Sequence, residues 1–297
     1  MKPDLRRTEM EVRRHVDMLA GVIGERNVYR YGALEAAARY VEDTFRSFRY
    51  TPAAQEYAAW SKPVRNIEAV LPGTRRPERV WILGGHYDSV EGSPGADDNA
   101  TAVAGVLEVA RLLADSKPRD AIRFVAFVNE EPPFYKGPEM GSVVYAKRCR
   151  ARNERIEGMV NLEMLGYYSD EPASQEYPYP LDRGVFRWIL PRRGNFIVFC
   201  GNAPSFWFTL RCHRLFHKTV RFPSKWVAVS ERLGELGMSD HWSFWQEGYP
   251  AVMVTDTAFF RNRHYHQRTD TPDKLDYARM ATVVTGVASV MKRLAGA

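Results

Sequence analysis

Short apolar runs alternate with longer amphipathic segments along most of this 297-residue chain, and this alternation most constrains its fold. The runs VWILGG, AIRFVAFV and GMVNL are typical of buried strands. Between the first two runs, ATAVAGVLEVARLLA repeats apolar residues at three- and four-residue spacing, as one face of a helix does. Strands joined by such helices usually pair in parallel, because the helix returns the chain across a face of the sheet. The sequence therefore predicts an α/β fold, a three-layer sandwich with a central mixed, mostly parallel β-sheet flanked by helices.

The middle of the chain departs from this alternation. From about residue 167 to 237 the sequence is rich in proline and aromatic residues, but nothing resembling a linker separates it from its neighbours. We therefore expect one domain over residues 1–297, with an aromatic-rich elaboration at about 167–237. The predicted helices are Arg7–Val22, Ala33–Phe48, Ala100–Ala114, Glu139–Arg148, Ser205–Lys218, the segment SDHWSFWQEG and one helix from Pro272; the predicted strands are Asn66–Leu71, Val80–Gly85, Ala121–Val128, Gly158–Leu162, Asn195–Cys200 and Ala251–Thr255.

The charge pattern argues against a nucleic-acid partner. The 42 lysines and arginines exceed the 36 acids and give a formal charge of +6. Basic clusters such as RRTEMEVRR contain acids, however, and form no basic stripe. The mildly basic surface that remains is compatible with a preference for acidic substrates.

The sequence also gives no sign of a membrane or export segment. No apolar run is long enough for a transmembrane helix, and the first residues lack the apolar centre of a secretory signal. The three cysteines, Cys149, Cys200 and Cys212, are too few and too scattered for a disulfide framework. We therefore expect a cytoplasmic protein that contacts no membrane, while its oligomeric state is not indicated.

Acidic and histidine side chains follow the ends of the predicted strands. In open α/β sheets these ends share one rim, where functional groups gather. We therefore expect these side chains to lie close together, which solvated loop residues would have no reason to do. In chain order the polar residues at these strand ends are His86, Tyr87, Asp88, Asp97, Asp98, Glu130, Glu131, Glu163, His264, Tyr265 and His266.

The residue types in this set suit zinc. Imidazole and carboxylate groups are zinc ligands, and a catalytic zinc ion keeps one position open for water. A site with two zinc ions needs a shared carboxylate, two further ligands for each ion and a base for the water. The strand ends offer that number of groups.

The ordered motifs HYDS, GADDNA, NEE, NLEMLG, SDH and YHQRTDTPD resemble those of the di-zinc aminopeptidase family of zinc-dependent exopeptidases. Relatives of that family include glutamate carboxypeptidases and single-zinc glutaminyl cyclases. The resemblance extends from about Val80 to the C-terminal helix, apart from the aromatic-rich middle. It implies the zinc exopeptidase fold, two zinc ions and hydrolysis of a terminal peptide bond.

The resemblance also implies which residues would hold the metal. His86, Asp98 and Glu163 would bind one zinc ion. Asp98, Glu131 and His266 would bind the other, with Asp98 as the bridge.

Three further residues would serve the reaction by the same resemblance. Glu130 would be the general base for the water. Asp88 would orient the imidazole of His86, and Tyr265 would donate a hydrogen bond to the tetrahedral oxyanion.

Several polar residues near these motifs have competing interpretations. Asp97 is favoured as a helix cap over a metal ligand, and His264 competes with His266 for the last ligand position. Asp240 and His241 are either near the site, in contact with substrate or ligands, or part of a helix cap. The pair at helical spacing in the aromatic-rich middle, His213 and His217, lacks a following glutamate and is interpreted as surface histidines.

Two features depart from the family pattern. Many members carry aspartate where this chain has Glu163, whose longer side chain can still reach a metal. The segment EEPPFYKGPEMGS is longer and richer in proline than the usual link to the next helix, and we expect it to cover the pocket.

The sequence thus favours a zinc-dependent aminopeptidase acting on peptide or amino-acyl substrates. A carboxypeptidase is an alternative, for which Arg261 and Arg263 would supply the cation that binds the substrate carboxylate. A single-zinc glutaminyl cyclase is another, although the retention of both His86 and Glu163 argues against it. A catalytically inactive binding module is the alternative from a different class, but no ligand or base has been lost.

Overall fold

The computed structural model of the protein describes residues 4–179, 181–231 and 235–297. Eight strands in these residues form one mixed sheet in the order β1-β2-β4-β3-β5-β8-β6-β7. The strands are β1 (Ala53–Ala59), β2 (Lys62–Leu71), β3 (Arg76–His86), β4 (Asp120–Phe127), β5 (Arg155–Glu163), β6 (Ile197–Asn202), β7 (Ser224–Val229) and β8 (Ala251–Thr255).

The centre of the sheet is parallel and its flanks are antiparallel. β4, β3, β5 and β8 are neighbours that all run in one direction. β2 pairs antiparallel with β1 and β4, while β6 pairs antiparallel with β8 and parallel with β7. The four central strands therefore present their carboxyl ends along one rim.

Helices cover both faces of the sheet, which confirms the predicted three-layer α/β fold. One apolar core lies beneath α1, α2, α3, α6 and α8, and the other lies beneath α4 and α7. A short helix, α5, lies in the aromatic-rich middle. The helices are α1 (Leu5–Val16), α2 (Tyr31–Ser47), α3 (Thr101–Leu113), α4 (Gly141–Ala151), α5 (Phe186–Ile189), α6 (Phe206–His217), α7 (His241–Gln246) and α8 (Tyr277–Leu294).

Alternation along the strands separates the two cores. In β3, Trp81 and Leu83 join the larger core, whereas Val80 and Ile82 join the smaller one. Successive side chains of a strand point to opposite faces, so a strand covered on both faces is apolar throughout. This is why VWILGG shows a continuous apolar run instead of a polar alternation.

One predicted helix changes its hydrogen-bonding pattern along its length, and another begins later than predicted. The first predicted helix continues past α1 as a π-helical segment, Asp17–Ile23, which ends at Gly24 with φ of +78°. The last helix begins at Tyr277 and not at Pro272, because Pro272–Lys274 forms a separate 3₁₀ turn and the Asp276 side chain caps the helix.

The described residues contain two strands that the sequence did not predict. β1 has the sequence AAQEYAA, whose alanines favour helix over strand, and it forms by pairing along β2. β7 lies in the aromatic-rich middle and extends the sheet beyond β6. Both are edge strands, where pairing with a neighbour outweighs weak local preference.

The described residues also bear on membrane-spanning segments and on disulfide bonds. None of their helices has the length and apolar character needed to span a bilayer. All three cysteines are buried and carry free thiols.

Candidate metal centre

The ends of neighbouring parallel strands bring the predicted side chains to one rim of the sheet. β3 ends at His86 and β5 ends at Glu163, and these two strands pair directly. β4 leads into Glu130 and Glu131, and β8 leads into the loop that carries His266. The sheet topology therefore assembles groups that are far apart in the sequence.

The first group of facing ligand atoms comprises His86, Asp98 and Glu163. The Nε2 atom of His86 lies 3.4 Å from Oδ1 of Asp98 and 3.5 Å from Oε2 of Glu163. All three side chains are buried. Ligand atoms about 2.1 Å from a tetrahedral ion lie about 3.4 Å from one another, so these separations suit a single zinc ion.

The second group comprises Asp98, Glu131 and His266. The Nε2 atom of His266 lies 3.2 Å from Oδ2 of Asp98 and 3.2 Å from Oε2 of Glu131. Asp98 thus turns one carboxylate oxygen toward each group. His266 is partly exposed, so this side of the centre opens toward solvent.

A tight loop before α3 fixes the orientation of Asp98. The carboxylate of Asp270 accepts hydrogen bonds from the backbone N–H groups of Asp97 and Asp98, at 2.9 and 3.1 Å. Gly95 has φ of +61°, and a Cβ atom there would lie 2.4 Å from the carbonyl oxygen of Asp98. Only glycine fits this position, and the Asp98–Asn99 peptide bond that follows is cis.

Asp88 links the histidine of the first group to the two glutamates. Its carboxylate oxygens accept hydrogen bonds from the backbone N–H groups of Glu130 and Glu131, at 3.2 and 3.1 Å. Its Oδ1 atom also lies 3.5 Å from Nδ1 of His86. Because Asp88 occupies the Nδ1 side of the ring, Nε2 is left to face the acidic groups.

Two polar side chains that the sequence reasoning missed hold the carboxylate of Glu163. Ser239 Oγ donates a 2.5 Å hydrogen bond to Oε2 of Glu163, and Asn99 Nδ2 donates another at 3.0 Å. Asn99 directly follows Asp98, and Ser239 is the first residue of the SDH motif. The sequence signal that could have identified them is their position inside the motifs GADDNA and SDH.

Tyr265 lies against the second group. Its ring stacks on the ring of His266 with centroids 3.8 Å apart and also contacts Phe259 at 5.5 Å. Burial, followed by the charges of Asp98 and Glu131, raises the pKa of the phenol. The hydroxyl therefore stays protonated and can act as a hydrogen-bond donor.

The acids of the centre are held in an unfavourable electrostatic environment. Burial tends to lower the pKa of His86, but the charges of Glu130 and Glu163 outweigh it and raise the pKa well above its usual value. Burial raises the pKa of Glu130 well above its usual value, and burial together with Asp98 raises that of Glu131 to about 7. Such a cluster favours added positive charge.

The neighbouring polar residues lie outside both groups. Asp97 is fully buried, and its carboxylate accepts hydrogen bonds from the Gly166 N–H and from Nδ2 of Asn262. His264 points to the hydroxyl of Thr269, with Nδ1 2.8 Å from Oγ1. The geometry therefore favours Asp98 and His266 over these near neighbours in the sequence.

The remaining candidates, Asp240, His241, His213 and His217, belong to neither ligand group. Asp240 is buried, and burial raises its pKa to about 7, with the charge of His86 acting against that rise. His241 points Nε2 at the carbonyl oxygen of Leu236, 2.6 Å away. On α6, His213 contacts Ser224 and stacks on His217, and neither histidine belongs to the two ligand groups.

The residues present fit zinc by type and by surroundings. Oε1 of Glu131 is buried and makes no hydrogen bond to the described part of the protein. Among the described residues, the ion-pair partners of Asp98, Glu131 and Glu163 are the two histidines, with no lysine or arginine. Two histidines cannot balance the charge of three buried carboxylates, and a divalent cation supplies the missing positive charge.

Comparison with known proteins extends these observations. A sequence profile of Peptidase family M28 matches residues 66–183 and 215–291. The chain is 36% identical to the uncharacterized protein YfbL of Escherichia coli over 301 residues, which cover 95% of this chain and 87% of YfbL. The two profile ranges contain all five residues of the ligand groups.

A more distant relative and a solved structure agree with that match. The chain is 29% identical to a probable zinc metalloprotease of Leptosphaeria maculans, over 70% of this chain and 51% of that protein. It thus spans about half the length of this fungal relative. The fold resembles BSAP, a zinc aminopeptidase from Bacillus subtilis, with a TM-score of 0.75 and 14% identity over 97% of this chain and 95% of BSAP. At that identity the likeness shows the fold.

Proposed function

The chain belongs to peptidase family M28 and is a metallo-exopeptidase, and from this premise we propose that it is a di-zinc aminopeptidase. The observation that carries the proposal is the pair of ligand groups joined at Asp98. One ligand group is enough to bind a single zinc ion, whereas this chain has two ligand groups that share the carboxylate of Asp98. This arrangement is the one expected of a two-metal hydrolytic site.

His86, Asp98 and Glu163 would hold one zinc ion, and Asp98, Glu131 and His266 would hold the other. Zinc in such a centre acts as a Lewis acid and makes water more acidic.

Glu130 is the proposed general base. Its Oε2 atom lies 3.7 Å from Nε2 of His86, at the edge of the first group, yet Glu130 is a member of neither group. Its backbone N–H is fixed by Asp88, which holds the carboxylate at this edge. From there Glu130 would accept a proton from the attacking water and deliver it to the leaving amine.

Tyr265 is the proposed donor to the oxyanion that forms at the scissile carbonyl. The stacking of its ring on His266 holds the phenol beside the second group. A donor placed in advance where negative charge develops lowers the barrier without reorganisation during the reaction.

The charge around the centre favours an amino-terminal over a carboxyl-terminal substrate. Glu130 belongs to neither ligand group, so its carboxylate would remain available to attract a substrate ammonium group. Arg261, suggested by the sequence as a carboxylate-binding cation, is buried and donates to Gln175 and to the carbonyl oxygen of Phe196. Arg263 is exposed. The carboxypeptidase alternative therefore lacks the support that Arg261 was expected to give.

The proposal is tested by metal content and substrate choice. We expect about two zinc ions per chain and hydrolysis of amino-acyl anilides, with no hydrolysis of amino-terminally blocked peptides. His266→Ala and His264→Ala form a matched pair two residues apart, of which only the first should lower metal content and activity. One tightly bound ion, unaffected by His86→Ala, would instead favour the cyclase alternative. A protein that binds two ions but cleaves no substrate would favour the inactive module.

A further inference from the structure

The segment that links β4 to α4 carries a lysine five residues after Glu131 of the second ligand group. This segment is EEPPFYKGPEM, and it leaves the centre directly after Glu131. Lys136 lies near its middle and is partly buried. The reaction proposed above assigns it no role.

The backbone around Lys136 is held in place by several contacts. Phe134 is buried and packs on Trp60, with ring centroids 5.0 Å apart. Gly137 N–H donates to the Phe134 carbonyl at 2.7 Å, and Met140 N–H donates to the Gly137 carbonyl at 3.2 Å. These contacts fix the conformation of the segment on either side of Lys136.

The side chain of Lys136 is held between two aromatic rings. Its Nζ atom lies 5.0 Å from the ring centroid of Trp242 and 5.2 Å from that of Tyr135. Burial, followed by the charges of Glu130 and Glu163, raises the pKa of Tyr135. An ammonium fixed in this way loses little conformational entropy when it binds a ligand.

The charge of Lys136 is not neutralised by an ion pair. Burial lowers the pKa of Lys136, and the charges of Glu130 and Glu231 act against that fall. Among the described residues, the lysine that forms an ion pair within 4.0 Å is Lys274, with Asp273, and not Lys136. Two aromatic contacts replace only part of the hydration of an ammonium group. The group is thus positioned to accept an additional anionic partner.

We propose that Lys136 binds a carboxylate of the substrate, so that the preferred substrates are short peptides with a carboxylate close to the scissile bond. This inference rests on the proposed aminopeptidase function. In this proposal the metal centre holds the amino-terminal part of the substrate, and Lys136 binds the carboxylate. The carboxylate comes either from the chain terminus of a dipeptide or from an acidic side chain.

Matched peptides distinguish the two sources. Leu-Ala is compared with Leu-Ala-amide, which lacks only the terminal charge, and Leu-Asp-amide is compared with Leu-Asn-amide, which lacks only the side-chain charge. We expect the charged member of at least one pair to have the lower KM, by about tenfold, since a charge-assisted hydrogen bond contributes that much. Equal KM values within both pairs would overturn the proposal. A leucyl anilide tests the aminopeptidase function separately, because it carries no carboxylate.

Variants then assign the preference to Lys136. Lys136→Met should remove most of the KM difference within the preferred pair, whereas Lys136→Arg should retain most of it. Lys147→Met removes the same charge from the exposed face of α4 and should leave the difference unchanged. An equal KM rise for both members of the pair in Lys136→Met would show a structural role and overturn the proposal. If no peptide and no anilide is cleaved by the parent protein, the proposed function has failed instead.

Discussion

Glu130 and Glu131 are neighbours in the chain, but their carboxylates face different partners. Glu131 Oε2 lies 3.2 Å from Nε2 of His266 within the second ligand group, whereas Glu130 Oε2 lies 3.7 Å from Nε2 of His86 and belongs to neither group. Asp88 accepts a hydrogen bond from the backbone N–H of each glutamate and so fixes the backbone from which the two side chains diverge. Substitutions at these two positions should therefore have different consequences.

Glu130→Gln should retain metal and lose turnover, because the amide keeps the shape of the side chain but cannot accept the proton. The expected fall in kcat is at least on the order of 10²–10⁴, with a much smaller change in KM. Glu131→Ala should lose metal together with activity. Metal content and steady-state rates of both variants check this prediction, and loss of zinc in Glu130→Gln with retention in Glu131→Ala would reverse the two roles.

A second prediction concerns Glu163, which stands where many members of the resembled family carry aspartate. Glu163→Asp should keep metal and much of the activity, with altered preference among amino-acyl substrates, because the shorter acid matches the commoner pattern. Glu163→Ala is the contrast and should lose metal at the first group. Complete loss of metal from Glu163→Asp would show that Ser239 and Asn99 hold the carboxylate in a place that only the longer side chain reaches.

At the scale of secondary-structure elements, the packing of α1 against its neighbours predicts a pH dependence. His15 on α1 is fully buried, with Nδ1 2.7 Å from the hydroxyl oxygen of Tyr40 on α2. Burial, assisted by the charges of Arg14 and Arg111, lowers its pKa from 6.5 to about 3. The unfolded chain thus binds a proton at His15 below about pH 6.5, whereas the folded chain binds it only near pH 3. The contribution of neutral, buried His15 to the free energy of unfolding is therefore fully present above pH 6.5 and is lost as pH falls toward 3.

The full loss of free energy of unfolding is on the order of 5 kcal/mol, because the pKa of His15 falls from 6.5 to about 3 and one pKa unit corresponds to about 1.4 kcal/mol. His15→Asn should therefore lose less free energy of unfolding between about pH 7 and pH 5 than the parent protein does. Urea unfolding at the two pH values measures this difference, and His217→Asn, at an exposed position on α6, is the control. The same slope in His15→Asn and the parent would contradict the prediction.

The helices and strands that the sequence predicted well are those whose own residues show a clear apolar pattern. The central strands and α3 carry continuous or three-to-four-residue apolar patterns, and their ends explain why the ligands could be placed at one rim. β1 was missed because its pattern is weak and its existence depends on pairing with β2. Arg26 was also missed, although its buried guanidinium donates to the carbonyl oxygens of Tyr87, Pro94 and Gly95 and so ties the loops of the centre together. Such long-range supports have no local signature in the sequence.

At the scale of the whole molecule, the metal centre joins segments from most of the chain. The ligand groups draw on residues between His86 and His266, carried by different strand ends and loops. The unfolded chain does not hold these residues together, so an ion that binds all of them binds the folded state selectively. Ligands of that kind stabilise the fold by mass action, in addition to any role in the reaction.

Removal of metal by a chelator should therefore lower the Tm. At about a thousandfold excess of zinc over its Kd, binding contributes about 4 kcal/mol, which corresponds to a Tm difference on the order of 8 °C for a domain of this size. Differential scanning calorimetry of chelator-treated protein before and after addition of zinc measures the difference. Asp98→Asn weakens both ligand groups at once and should abolish most of the zinc-dependent gain, whereas His264→Ala, close to His266 but outside both groups, should retain it. A Tm that zinc does not change in the parent protein, or a gain that survives Asp98→Asn in full, would show that the two groups do not act as one centre.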